Sequence, residues 1–139
     1  SDIARRIAAV EAFRALPEAA SLAAANKRIR NILRKAAPED VGASVMPEQL
    51  QQQSERELAG AMEQARQAIA PLAAIDDYSG IMQTLAGLRP QVDHFFDDVM
   101  VMTDEIELRR NRLALLMELE RLFTGVADIS LLHQTGGDA

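Results

Sequence analysis

The stretch Leu22-Ala23-Ala24-Ala25-Asn26-Lys27-Arg28-Ile29-Arg30-Asn31-Ile32-Leu33-Arg34-Lys35-Ala36 decides the fold class. At about 100° per residue, Leu22, Ala25, Ile29, Ile32, Leu33 and Ala36 fall on one arc of a helix. Lys27, Arg30, Asn31 and Arg34 occupy the opposite arc, flanked by Arg28 and Lys35. A segment patterned this way buries one face and leaves guanidinium forks and an amide on the other. Apolar residues recur at the same helical spacing along the rest of the chain, and period-two alternation never persists. The fold expected is therefore all-α, a bundle of five or six helices joined by short loops.

Outward from this stretch, the spacing predicts a first helix over Asp2–Leu16 with Ile3, Ile7, Val10 and Phe13 on its inner side. Pro17 opens the second helix, because proline is tolerated in a first turn. That helix runs from Glu18 to Ala36 and stops before Pro38. Residues Glu39 to Met46 read as loop. A third helix follows over Glu48–Ala70, with Leu58, Met62, Ala65 and Ile69 as its buried stripe, and Pro71 marks its end. A shorter helix over Tyr78–Leu88 carries Ile81, Met82 and Leu85. Pro90 opens another piece that ends in Val99-Met100-Val101-Met102. Asp104 and Glu107 have the spacing of a capping box for a last helix reaching about Val126. Gly136 and Gly137 place residues 133–139 in a disordered tail. No repeat of solenoid period is present.

The 139 residues fit a single domain, and a hydrophobic content of 48% argues against disorder. The opening Ser in place of Met suggests a domain taken from a longer chain. There is no cysteine, so disulfides and thiolate metal sites are excluded. No apolar run has the length of a membrane span and no signal peptide opens the chain, which points to a cytoplasmic protein. Aromatic residues are only 4%, too few for a stacking platform along single-stranded nucleic acid. The net charge of −6 taken alone argues against a polyanionic partner. The distribution reverses that reading locally: Lys27, Arg28, Arg30, Arg34 and Lys35 crowd a stretch without an acid, whereas Asp76 to Glu107 contains one Lys or Arg, Arg89.

Catalytic constellations are missing. His94 and His133 are the only histidines, and neither completes a nucleophile, base and orienting group. His94 and Asp98, four residues apart, could share a metal, but one such pair is a weak signal beside an ordinary solvated helix face. Neither a phosphate-binding glycine loop nor a dinucleotide fingerprint occurs. The fragment is expected to be non-catalytic and to hold no cofactor or metal. The basic arc of Lys27, Arg28, Arg30, Asn31, Arg34 and Lys35 is the candidate site, with the equipment for phosphate and base-edge contacts. A solvated face paired with acids elsewhere in the bundle is the competing reading. The absence of any carboxylate three or four residues away inside the stretch favours a polyanion. In the second polar motif, Leu108-Arg109-Arg110-Asn111-Arg112-Leu113, Asn111 and Arg112 fall on or beside the apolar arc. Arg112 is expected to pair with Asp97, Asp98 or Asp104, with contact to a polyanion as the competing reading.

Three blocks together resemble a family. Asn26-Lys27-Arg28-Ile29-Arg30-Asn31-Ile32-Leu33 is similar to the basic helix in the C-terminal domain of bacterial glycyl-tRNA synthetase β subunits. The run from Leu88-Arg89-Pro90 through Asp93-His94-Phe95-Phe96-Asp97-Asp98 to Met102 resembles that domain's central signature. Leu108-Arg109-Arg110-Asn111-Arg112-Leu113-Ala114-Leu115-Leu116, continuing to Val126-Ala127-Asp128-Ile129-Ser130, is similar to its last block. The blocks keep the family's order over residues 4 to 132, and Val41 to Gln67 carries little signature. The resemblance implies the helical anticodon-binding fold that also terminates arginyl-tRNA synthetases. It implies a parent enzyme of α and β subunits that joins glycine to its tRNA with ATP and Mg, catalysis sitting on the α subunit. This module would bind the anticodon region of tRNA-Gly beside the remaining β-subunit domains. The alternative is a helical protein–protein docking module within a synthetase or another multidomain assembly.

Overall fold

Local sequence signals set most helix ends in the computed structural model, which describes residues 2–127. Six α-helices follow in order: α1 (Asp2–Arg14), α2 (Pro17–Lys35), α3 (Gln53–Ala74), α4 (Tyr78–Ala86), α5 (Arg89–Asp98) and α6 (Ile106–Ala127). Short 3-10 turns at Pro38–Asp40 and Pro47–Gln49 lie between α2 and α3, and no strand occurs among the described residues. The all-helical expectation holds. The tail assigned to 133–139 lies outside the described residues.

Pro17 stands in the first turn of α2 as expected, and Leu16 before it is extended. At the other end Ala36 is extended too, two residues before Pro38. The expectation for α3 was wrong at both ends. Pro47, Glu48 and Gln49 form their own 3-10 turn, and the helix starts where the Gln52 N–H donates to the Glu55 carboxylate at 2.8 Å. Pro71 does not stop the helix, which continues to Ala74. A proline there removes one hydrogen bond, to the carbonyl four residues back, and Gln67 and Pro71 are both exposed, so water can serve that carbonyl. The chain then reverses at Asp76, which adopts a left-handed φ of 55° that Asp tolerates better than most side chains. Asp77 caps α4 by accepting from the Gly80 N–H at 3.0 Å. A Cβ on Gly80 would lie 2.7 Å from that carboxylate, so a side chain there would make the cap shift. α6 begins at Ile106, one residue later than a capping box between Asp104 and Glu107 needs; the Thr103 hydroxyl oxygen accepts from the Glu105 N–H instead.

The core is organised around α6. Residues Asn111 through Leu116 are all buried, which requires neighbours on every side of the helix. α2, α3, α4 and both 3-10 turns supply them. Leu58, Met62, Ala65 and Ile69 of α3 and Ile81, Met82 and Leu85 of α4 pack into the same core, on the faces the spacing assigned. α1 departs from expectation: Ala9 and Val10 are buried but Ile3 is exposed. A polar staple holds this end of α1 to α4. The Arg6 guanidinium lies 5.1 Å from the centre of the Tyr78 ring and 2.8 Å from Asp2 Oδ2, and the Tyr78 hydroxyl reaches the same carboxylate at 3.1 Å. Partial burial alone would raise the Asp2 carboxyl, but the Tyr78 hydrogen bond and the charges of Arg6 and Arg5 hold it below its usual range.

Leu116 is fully enclosed, so Leu116→Ala is expected to cost about 2–5 kcal/mol through reduced burial and a residual cavity. Urea denaturation measures this; an unchanged midpoint would place Leu116 outside the core.

Candidate nucleic-acid interface

α2 is held from behind by its apolar arc. Leu22, Ala25 and Ile29 are buried, and Ile32, Leu33 and Ala36 pack partly buried against the core. A side bond from the Ser21 hydroxyl to Asp93 of α5, 3.1 Å, fixes the helix against its neighbour. The opposite arc faces outward: Lys27, Arg28, Arg30, Arg34 and Lys35 are exposed and Asn31 is half-buried.

Their surroundings sort them. The Arg28 guanidinium lies 4.5 Å above the Phe96 ring, an arrangement that orients it without neutralising its charge. Arg34 Nη2 donates to Asn31 Oδ1 at 2.8 Å. This occupies the amide oxygen and leaves Asn31 its N–H donors, so the amide does not stand ready as both donor and acceptor. Arg30 Nε approaches Glu120 of α6 at 3.9 Å, a long pairing with the arginine largely exposed and of small energetic weight. Glu120 is the tertiary carboxylate that the helical spacing within α2 could not reveal. Among the described residues, no carboxylate pairs with Lys27, Arg28, Arg34 or Lys35. Arg34 and Lys35 also stand in the last turn, where positive charge complements the helix dipole.

The second polar motif is a bolt for the loops. Across one turn of α6, four consecutive residues hold the connection between α2 and α3, the start of α3 and the loop after α5. Arg109 donates to the Thr103 carbonyl at 3.0 Å and to Asp40 at 3.2 Å. The Arg110 carbonyl accepts from the Gly42 N–H at 3.1 Å, and Gly42 is close enough that a Cβ would lie 3.1 Å from the same oxygen. Asn111 accepts from the Met46 N–H at 2.7 Å and donates to the Met46 carbonyl at 3.1 Å. Arg112 meets both oxygens of Glu55 at 3.0 and 3.2 Å, the Met100 carbonyl at 2.7 Å and Gln51 Oε1 at 3.4 Å.

Arg112 was expected to need a buried partner, and it has one, but the acids proposed were wrong. Glu55 supplies it, not Asp97, Asp98 or Asp104. The reason is topological: α3 and α6 pack together and bring residues 57 apart in sequence into contact, whereas Asp97, Asp98 and Asp104 remain exposed. Asp98 accepts from the Ser54 hydroxyl. His94 is exposed, and among the described residues no group of three His, Cys, Asp or Glu side chains is placed to hold a metal ion. No described helix is long and apolar enough to cross a membrane.

A helical bundle that presents one unneutralised basic helix face over an otherwise acidic body has the form of a binding module for a polyanion. Residues 22–129 match the family model described as the DALR anticodon binding domain, and the chain belongs to that family. It is 50% identical over 135 residues to the glycine–tRNA ligase beta subunit of Marinobacter nauticus, an alignment covering 97% of this chain and 20% of that protein. Identity is also 50% over 133 residues to the corresponding subunit of Acinetobacter baylyi, covering 95% and 19%, and 50% over 134 residues to that of Pseudomonas aeruginosa, covering 94% and 19%. The chain spans about a fifth of the length of these curated relatives.

Arg112→Ala leaves Glu55 buried with its main donor removed, which is expected to cost about 3–5 kcal/mol. Thermal melting and tRNA binding measured on the same protein check the assignment. A variant that melts like the parent and no longer binds tRNA would move Arg112 from the scaffold to the interface.

Proposed function

We propose that this chain is the anticodon-binding domain appended to the β subunit of a glycyl-tRNA synthetase, and that it supports glycylation of tRNA-Gly carried out elsewhere in the enzyme. The single observation that carries this reading is the outward face of α2, where Lys27, Arg28, Arg34 and Lys35 have no carboxylate partner among the described residues. Charge without a local counterion is available for phosphates. The family match and the relatives' names support an RNA partner over a protein one for this face.

Roles divide within the face. Lys27 and Arg30 project freely enough to meet phosphates, which set affinity and register without reading sequence. Asn31 and Arg34, joined by their hydrogen bond, offer donors one turn apart and are the candidates for base-edge contacts in an unstacked loop. Arg28 on Phe96 and Lys35 complete the charged track. The tRNA-Gly anticodon region, the α subunit and the remaining β-subunit domains are the partners of this reading, in the cytoplasm. ATP and Mg belong to the catalytic part of the parent enzyme. No glycine-rich phosphate loop occurs in the chain.

The Lys27→Ala/Arg30→Ala/Arg34→Ala protein is expected to stay folded, since these side chains lie opposite the apolar arc and Ala favours helix. Removing one cation that meets a phosphate is expected to flatten the salt dependence of tRNA binding by roughly 0.7–0.9 log units per log unit of salt, so losing Lys27 and Arg30 in this variant flattens it by roughly 1.4–1.8. Asn31→Ala is expected to relax anticodon preference with little change of slope. A folded triple variant that binds tRNA with parental affinity and slope removes α2 as the RNA face.

A further inference from the structure

The end of the bundle formed by residues 40–51 and 99–107 carries a surface that the RNA reading does not use. Its backbone is pinned by the α6 turn Arg109–Arg112, which bonds Thr103, Gly42, Met46 and Met100. Upon this fixed backbone, large apolar side chains point to solvent. Met100 is 69% and Ile106 60% exposed, and Met46 and Met102 of the same two segments are exposed too, whereas Val99 and Val101 are buried. Of the six large hydrophobic side chains left exposed among the described residues, these are four. Held segments usually turn such groups inward, and a cluster of this kind on one end marks a contact surface. Methionine suits it, because the flexible thioether adapts to a partner.

The charge around the patch narrows the partner. A shallow depression of about 560 Å³ beside Ile106 is lined by the carboxylates of Glu48, Asp104, Glu105 and Glu107, and no base lines it. The neighbouring guanidiniums of Arg56, Arg109 and Arg112 are turned onto backbone carbonyls, and those of Arg109 and Arg112 also onto buried or half-buried acids. Nucleic acid is repelled by such a rim. A second copy placed symmetrically would set carboxylates against carboxylates, which like-charge juxtaposition disfavours. The complement is a polypeptide surface with Lys or Arg around apolar sockets.

We infer that this end docks such a basic, apolar surface on the body of the longer β-subunit chain. The inference rests on the proposed function, and on the relatives being about five times as long as this chain. The acidic, methionine-bearing end then fixes how the domain is carried, while the basic face of α2 stays free.

Hydrogen exchange of residues 99–107 compares the 139-residue chain alone with the full-length β subunit that contains it. Burial against the body is expected to slow these amides by about tenfold or more in the full-length chain. Met100→Ser/Ile106→Ser is expected to melt like the parent in the isolated chain and to abolish the slowing in the full-length one. Glu105→Lys/Glu107→Lys, which leaves the core untouched, is expected to do the same. Equal exchange in both contexts overturns the inference, as does protection that rises with concentration of the isolated chain (a second copy) or that appears only with tRNA. The salt slope of tRNA binding, measured on the same proteins, separates the two readings: an intact slope with unprotected 99–107 removes the docking surface alone.

Discussion

Everything at one end of this molecule depends on a guanidinium and a carboxylate that are buried together. Arg112 and Glu55 sit inside the bundle with two bonds between them, and the rest of the guanidinium is spent on the Met100 carbonyl and Gln51. Taking both ions from water costs several kcal/mol each, so the pair is poor evidence for raw stability. Its strength lies in geometry. Packing alone discriminates less sharply between helix registers than a buried charge with one satisfactory partner, which ties α3 to α6 at a single register. Glu55 also receives the Gln52 N–H, so the carboxylate that anchors Arg112 also defines where α3 begins.

That constraint spreads through the fold. With the start of α3 and the loop after α5 fixed on α6, the remaining residues of the polar turn hold Asp40, Gly42 and Met46, closing the connection from α2. α2 itself is seated by Leu22, Ala25 and Ile29 and by Ser21 on Asp93. Its outward arc consequently displays cations from a seated helix on a molecule of net charge −6. Screening limits the repulsion of distant acids to about one Debye length, so the local face governs contact while the acidic body restricts where a polyanion can lie.

How much of this was legible in sequence follows from the range of each interaction. The faces of α2, α3 and α4 could be read, because burial at period 3.6 is a local pattern: Ile29, Met62 and Ile81 lie where spacing put them. Pro17 was readable for the same reason. Pro71 misled because the penalty of a helical proline depends on whether the carbonyl it abandons can reach water, a tertiary fact. Ile3 misled because a polar staple through Asp2, Arg6 and Tyr78, not an apolar stripe, holds the start of α1. The need for a partner to Arg112 was visible in its place on an apolar arc; Glu55 was not, since 57 residues separate them. Within the candidate site, the cations and their freedom from local acids were legible, but the Arg34–Asn31 bond, the Phe96 ring under Arg28 and the approach of Glu120 to Arg30 arise from side-chain placement and packing.

On the proposed function, the face of α2 meets the anticodon end of tRNA-Gly. Filter binding of this chain to tRNA-Gly and to the same tRNA with its anticodon replaced, at one fixed salt concentration, tests it most directly. Tighter binding of the unaltered tRNA by about tenfold or more is expected, the discrimination that follows when at least one base-edge pairing of roughly 1–3 kcal/mol is removed. Equal affinity for both tRNAs would contradict it.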